Sequence, residues 1–122
     1  MNVKGFYDAI GGSYDTALTR LMKDSMIERF VLKFPNDKSF SELESAVAAG
    51  DWDAAFSASH TLKGVSLNLA FAELGKAAET LTDALRPQNV ADRNPAVQKS
   101  QFDAVKSAYD TVICMIEAFK DA

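Results

Sequence analysis

The chain contains one histidine, His60, and it offers the clearest chemistry in the sequence. An imidazole can serve as a nucleophile, a general base or a metal ligand. Lys63 follows His60 by three residues, a spacing that makes the two side chains neighbours on a helix. Its ammonium could balance a phosphoryl group arriving at the ring. A solvated surface lysine is the alternative interpretation. A structural zinc site is disfavoured, because one histidine and one cysteine supply only two of four ligands.

The helix predicted over residues 51–69 turns His60 away from the hydrophobic core. At 100° per residue, the apolar stripe lies between about 140° and 220° from His60. Its members are Ala55, Ala58, Leu62, Val65 and Leu69. A histidine packed in the core is therefore disfavoured. A surface histidine that has no functional role remains the alternative interpretation.

Three residues on the His60 face predict a docking surface. Gly64 lies one turn after His60, in a helix interior where glycine costs about 1 kcal/mol relative to alanine. It leaves the imidazole without a flanking side chain, so a large partner can approach. Phe56 and Leu67 are bulky apolar residues on a helix face that should be exposed to solvent. The alternatives are that Gly64 permits tight helix packing and that the N-terminal segment covers Phe56 or Leu67.

Helical signals dominate the chain, and glycine and proline separate the apolar segments. Ser39 and Asp51 are predicted N-caps, Gly50 is a predicted helix end, and residues 87–94 read as a polar loop. The prediction is an all-α fold, an antiparallel four-helix bundle with a short N-terminal helical lead, forming one domain over residues 1–122. The predicted helical segments are 3–10, 16–22, 25–34, 39–49, 51–69, 71–86 and 95–120.

Composition narrows the function classes further. The 122 residues match the usual size of one domain. A net charge of −4 argues against nucleic acid as the main partner. No apolar run approaches the length of a membrane span, and the N-terminus lacks the apolar core of a signal peptide. We therefore expect a cytoplasmic protein with no membrane partner.

These residues resemble a known family. His60-Thr61-Leu62-Lys63-Gly64 resembles the H-x-L-K-G signature of histidine-containing phosphotransfer (HPt) domains of bacterial and fungal phosphorelays. Residues 50–55 are similar to the entry of the family's histidine helix, and Asn68-Leu69 to its exit. Residues 34–40 resemble a segment of the stand-alone HPt proteins of Gram-positive bacteria. The resemblance covers about residues 5–119.

The resemblance implies a phosphorelay intermediate. His60 would accept a phosphoryl group, through Nε2, from a receiver-domain aspartyl phosphate and pass it to another receiver aspartate. Lys63 would stabilise the negative charge of the phosphoryl group, and Gly64 would leave space for the partner to approach His60. Two positions depart from the family pattern: Leu67 stands where many members have a small residue, and Ala70 where many have glycine. Leu67 could change which receiver fits, whereas Ala70 should affect only how the helix ends.

The expected partners are response-regulator receiver domains, a hybrid histidine kinase, or both, with the protein a monomer. The chain has no recognised ATP-binding motif, so we expect a phosphocarrier and not a kinase. No cofactor is expected in this chain, since the magnesium ion would lie in the partner receiver. The alternative is a helical interaction module, an adaptor or antagonist, without phosphotransfer. A hydrolase is not supported, because the serines near His60 form no recognisable triad.

Overall fold

The computed structural model describes residues 1–121, and that range contains helices and no β-strand. The predicted all-α class is therefore confirmed. None of these helices is both long and apolar enough to cross a membrane. Two 3₁₀ turns, Phe34–Asn36 and Pro87–Asp92, interrupt the α-helices. The helices are α1 (Val3–Ile10), α2 (Tyr14–Leu21), α3 (Asp24–Lys33), α4 (Ser39–Ala49), α5 (Trp52–Asn68), α6 (Ala72–Ala84) and α7 (Pro95–Asp121).

The last four helices form the predicted bundle. α5 packs against both α4 and α6, and α7 closes the bundle by packing against α6 and, less extensively, α4. The links from α4 to α5 and from α5 to α6 are short, so these neighbours run antiparallel. Fully buried aliphatic side chains from every helix fill the interior, including Leu43, Leu62, Leu74, Leu81, Val105 and Ile116. Their burial supplies the main stabilisation of the fold.

The N-terminal lead is part of the same hydrophobic core. α1 packs against α7, and its Phe6, Tyr7 and Ile10 are buried. The Phe6 ring lies edge-on to Phe71, with 5.9 Å between the ring centroids. The Tyr7 hydroxyl donates a hydrogen bond of 2.7 Å to the carbonyl of Leu69, immediately after α5. The lead therefore fixes the C-terminal end of α5, the helix that carries His60.

The chain leaves α5 through a left-handed residue. Ala70 has a φ of +59°, a conformation that glycine adopts without steric cost. Its carbonyl accepts a hydrogen bond of 3.0 Å from the amide of Ser13, which holds the turn in place. The expectation that Ala70 bears on how the helix ends agrees with this geometry.

Substitution of Tyr7→Phe should destabilise the fold by about 1–3 kcal/mol near neutral pH, because the buried Leu69 carbonyl loses its donor. Burial also raises the pKa of Tyr7 in the folded state. Above pH about 10 the unfolded chain releases the phenolic proton while the folded protein retains it, so stability falls as pH rises. Urea unfolding at pH 7 and pH 10.5 should show a smaller alkaline loss in Tyr7→Phe than in the parent protein. An equal loss in both proteins would contradict this role.

Two of the four predicted boundary features are correct. The Asp51 side chain accepts a hydrogen bond of 3.1 Å from the amide three residues later, and Gly50 ends α4 with a φ of +69°. Ser39 is not an N-cap. It is the first helical residue, and the Asp37 carboxylate accepts from its amide at 2.9 Å. The predicted polar loop is also wrong in part, because residues Pro87–Asp92 form a 3₁₀ helix. This helix begins at Pro87, whose ring presets its φ.

Candidate functional site

α5 presents His60 on its exposed side. The helix runs for 17 residues, and its buried residues are Ala55, Ala58, Ser59, Leu62 and Ser66. This buried stripe is rotated slightly from the predicted one, because Ser59 and Ser66 are buried while Val65 is only half-buried. The rotation leaves His60 exposed. The prediction that His60 points away from the core is therefore correct.

A buried polar contact lies between α5 and α6. The Thr82 hydroxyl lies 3.0 Å from the Ser59 hydroxyl and donates at 2.7 Å to the carbonyl of Ala78, one turn earlier in α6. Ser59 in turn donates to the carbonyl of Phe56. Small side chains at this contact let the two helices approach closely. α6 thereby contributes side chains to the edge of the His60 face.

Phe56 lies beside the imidazole, one turn earlier in α5. Its ring is nearly parallel to that of His60, with an interplanar angle of 17° and 6.1 Å between centroids. Phe56 is half-buried and packs against the core, so only part of its side chain is exposed on the predicted docking surface. The Phe56 ring therefore lies along one side of the imidazole and nearly parallel to it.

Gly64 leaves open space on the His60 face. Apart from the adjacent residues and the nearby backbone of α5 itself, a Cβ atom added there would meet no heavy atom within 4 Å among the residues that the structure describes. The alternative that packing of α5 requires this glycine is therefore wrong. The space beside His60 opens outward and is accessible to another molecule.

Leu67 is only partly available for docking. It is 36% exposed, and its side chain lies over Gly75 of α6, where an added Cβ would come within 2.5 Å of Leu67 Cδ2. The Arg20 guanidinium of α2 donates to the Leu67 carbonyl. Leu67 is therefore packed against α6. Sequence reasoning missed Gly75, where packing against Leu67 leaves no room for a side chain.

Lys63 extends toward α6. Its Nζ atom lies 3.8 Å from Glu79 Oε2, and its side chain is 22% exposed, whereas that of Glu79 is 50% exposed. The lysine is therefore neither fully solvated nor without a counter-ion. Sequence reasoning missed Glu79. The sequence does place this acidic residue in the next predicted helix. The apolar periodicity of that helix, however, does not show that Glu79 would contact Lys63.

The start of α5 is tied to the segment that follows α6. Arg93 forms an ion pair of 3.0 Å with Asp53 and also donates at 2.7 Å to the carbonyl of Leu85. Because the Arg93 side chain is largely buried, this contact fixes the residues before α7 against the His60-bearing helix. Within residues 1–121, no cluster of three or more His, Cys, Asp or Glu side chains is arranged to hold a metal ion.

Together these residues form a site on the outer face of α5, with an exposed imidazole, a neighbouring aromatic ring, an ammonium group and open space at Gly64. Such a site can present a ring nitrogen to a partner protein.

Comparison with known proteins agrees with this geometry. The family model of the Hpt domain matches residues 25–117, which is most of the chain and includes all of α5 and α6. Searches of curated proteins and of solved structures gave no match. Hpt domains have a phosphotransfer role in phosphorelay signalling, are phosphocarriers and not kinases, and interact with receiver domains and histidine kinases. The helical bundle and the extent of the match establish that the chain belongs to the Hpt domain family.

Proposed function

We propose that this protein accepts a phosphoryl group on His60 from a receiver-domain aspartyl phosphate and passes it to another receiver aspartate. One observation carries the proposal: His60 is exposed on α5, and the space beside it at Gly64 is open. A receiver can therefore bring its aspartyl phosphate to the imidazole without any movement of the bundle. Phosphoryl transfer depends mainly on positioning and on charge neutralisation, and a rigid helix supplies the positioning.

In the accepting step, an unprotonated ring nitrogen of His60 attacks phosphorus. The N–P bond forms as the P–O bond to the aspartyl group breaks, and the aspartate leaves as a carboxylate. The proton on the other ring nitrogen stays in place. The reverse sequence, with a second receiver aspartate as nucleophile, returns the free imidazole.

The surrounding residues have separate roles in this proposal. Lys63 neutralises phosphoryl charge, Gly64 admits the receiver, and Phe56 and the exposed part of Leu67 contact it. We assign no cofactor to this chain, and the magnesium ion belongs to the receiver. We also propose that residues 1–122 act as one domain, which the core shared by α1 and the bundle supports. We further propose that the protein acts as a monomer.

The direct test is transfer from a phosphorylated receiver. The receiver is loaded with a small phosphodonor and freed of excess donor, then mixed with this protein. We expect the protein to gain one phosphate that is labile in acid and stable in base, as phosphohistidine is. A receiver that binds but transfers no phosphate would support an adaptor or antagonist instead.

Substitution of Lys63→Ala should slow transfer about ten- to a hundredfold, because loss of one charge-assisted contact is worth about 1.5–3 kcal/mol. Receiver binding should persist, since the phosphoryl charge matters most during transfer. Single-turnover transfer and a binding titration separate the two effects. Lys76→Ala, which removes an exposed lysine from α6, is the matched control and should transfer at the parent rate. A parent-like rate in Lys63→Ala would remove this lysine from the mechanism.

A further inference from the structure

Glu79 is the acidic side chain paired with Lys63 at the His60 face. It reaches across from α6, and its Oε2 atom lies 3.8 Å from Lys63 Nζ. Lys63 follows His60 by one helical turn, so its ammonium is within reach of groups attached to the imidazole. Only 22% of the lysine side chain is exposed, which shows that it lies along the protein surface toward α6.

We infer that Glu79 is a positioning residue that holds the Lys63 ammonium and competes for it with the phosphoryl group on His60. The inference rests on the proposed function and names a residue that limits how tightly the site retains phosphate. In the free protein, Glu79 neutralises Lys63 and keeps its side chain in one place. In the phosphorylated protein, the ammonium is shared between the carboxylate and the phosphoryl oxygens.

The charges explain why this competition favours release. A phosphoryl group brings close to two negative charges, so an unpaired ammonium beside it would stabilise the phosphorylated form. Glu79 offsets part of that stabilisation. Its side chain is half exposed, and exposed ion pairs are weak because solvent screens them. Glu79 therefore offsets only a small part of the stabilisation that Lys63 gives to the phosphorylated form. This offset favours onward transfer of the phosphoryl group and does not prevent its acceptance.

The transfer step itself is unchanged. The N–P bond forms as the aspartyl P–O bond breaks, and the reverse reaction restores the acyl phosphate. Glu79 touches neither the reacting nitrogen nor phosphorus in this scheme. Its effect appears in the equilibrium between phosphohistidine and aspartyl phosphate, which a purely structural residue would leave alone.

The test substitutes Glu79→Gln, which removes the charge and keeps the shape of the side chain. The equilibrium constant for transfer from a receiver is measured from the phosphorylated fractions of both proteins. It should shift about two- to fivefold toward phosphohistidine, the range expected for an exposed ion pair. Glu73→Gln is the matched control, because it removes the same charge from α6 at a residue that contacts Gly11. The control should keep the parent equilibrium constant.

The same comparison in a Lys63→Ala background separates positioning from direct repulsion. If Glu79 acts through Lys63, the effect of Glu79→Gln should largely disappear in that background. An undiminished effect would mean that Glu79 repels the phosphoryl group directly, and a parent-like equilibrium constant in Glu79→Gln alone would also overturn the inference.

A second measurement needs no receiver. Phosphoramidate phosphorylates exposed histidine directly, and phosphorus NMR then reports on the phosphoryl group. Its resonance should move in Glu79→Gln and stay in place in Glu73→Gln. If it does not move in Glu79→Gln, the inference fails. If it moves while no receiver transfers phosphate to the parent protein, the proposed function fails and the contact between Glu79, Lys63 and the phosphoryl group stands.

Discussion

Substitution of His60→Gln is expected to abolish phosphate acceptance and to leave the fold intact. Glutamine keeps a polar side chain at the position but has no ring nitrogen that could form an N–P bond. His60 is exposed and lies outside the buried stripe of α5, so the free energy of unfolding should change by no more than about 0.5 kcal/mol. Intact mass after incubation with a phosphorylated receiver, together with thermal unfolding, measures both effects.

Thr61→Gln provides the matched control for this substitution. It places the same side chain on the next exposed position of α5 and leaves the imidazole in place. The control should accept phosphate as the parent protein does. Phosphate on the His60→Gln variant would show that the site assignment is wrong, and loss of its folded state would show that His60 has a structural role.

Substitution of Gly64→Gln should block transfer from a receiver while making the protein more stable. The added side chain would occupy the open space beside His60 and exclude the partner. It would also replace glycine in a helix interior, where an added Cβ meets no side chain and no other helix within 4 Å among the described residues outside its chain neighbours. Stability should therefore rise by up to about 1 kcal/mol. Higher stability with lost transfer cannot be a result of misfolding.

Two measurements complete this experiment. Phosphoramidate is small, and it should still phosphorylate His60 in the Gly64→Gln variant, so the imidazole remains reactive while the receiver is excluded. Gly64→Ala should gain similar stability and lose less transfer, because a methyl group fills less of the space. Full receiver affinity in Gly64→Gln would show that the partner docks elsewhere, and the proposal would lose its geometric basis.

The secondary structure follows from local signals that the chain contains. The apolar period of 3.6 residues predicted the main helices within a few residues, and Gly50 and Asp51 marked the junction of α4 and α5 correctly. At α4, the predicted cap failed because the helix begins at Ser39 itself. The Asp37 carboxylate accepts from the Ser39 amide, whereas a Ser39 N-cap would have accepted from an amide two or three residues later.

The exposure of His60 was also determined by the sequence, because the direction of a side chain from a helix depends only on its position relative to the apolar stripe. The same holds for Gly64, which is four residues further along the same face. The family resemblance of the histidine motif added the expected chemistry to this geometry, and it did so from adjacent residues alone.

The contacts between helices were decided only by the tertiary structure. The pairing of Lys63 with Glu79, the packing of Leu67 over Gly75 and the half-burial of Phe56 all depend on how α5 sits against its neighbours. Helical periodicity specifies which face of α5 is buried, but not its rotation or axial offset relative to α6. A shift of one residue along α6 moves a side chain by 100° around that helix and by 1.5 Å along it. Which side chains meet across the interface therefore depends on the packing of the whole bundle.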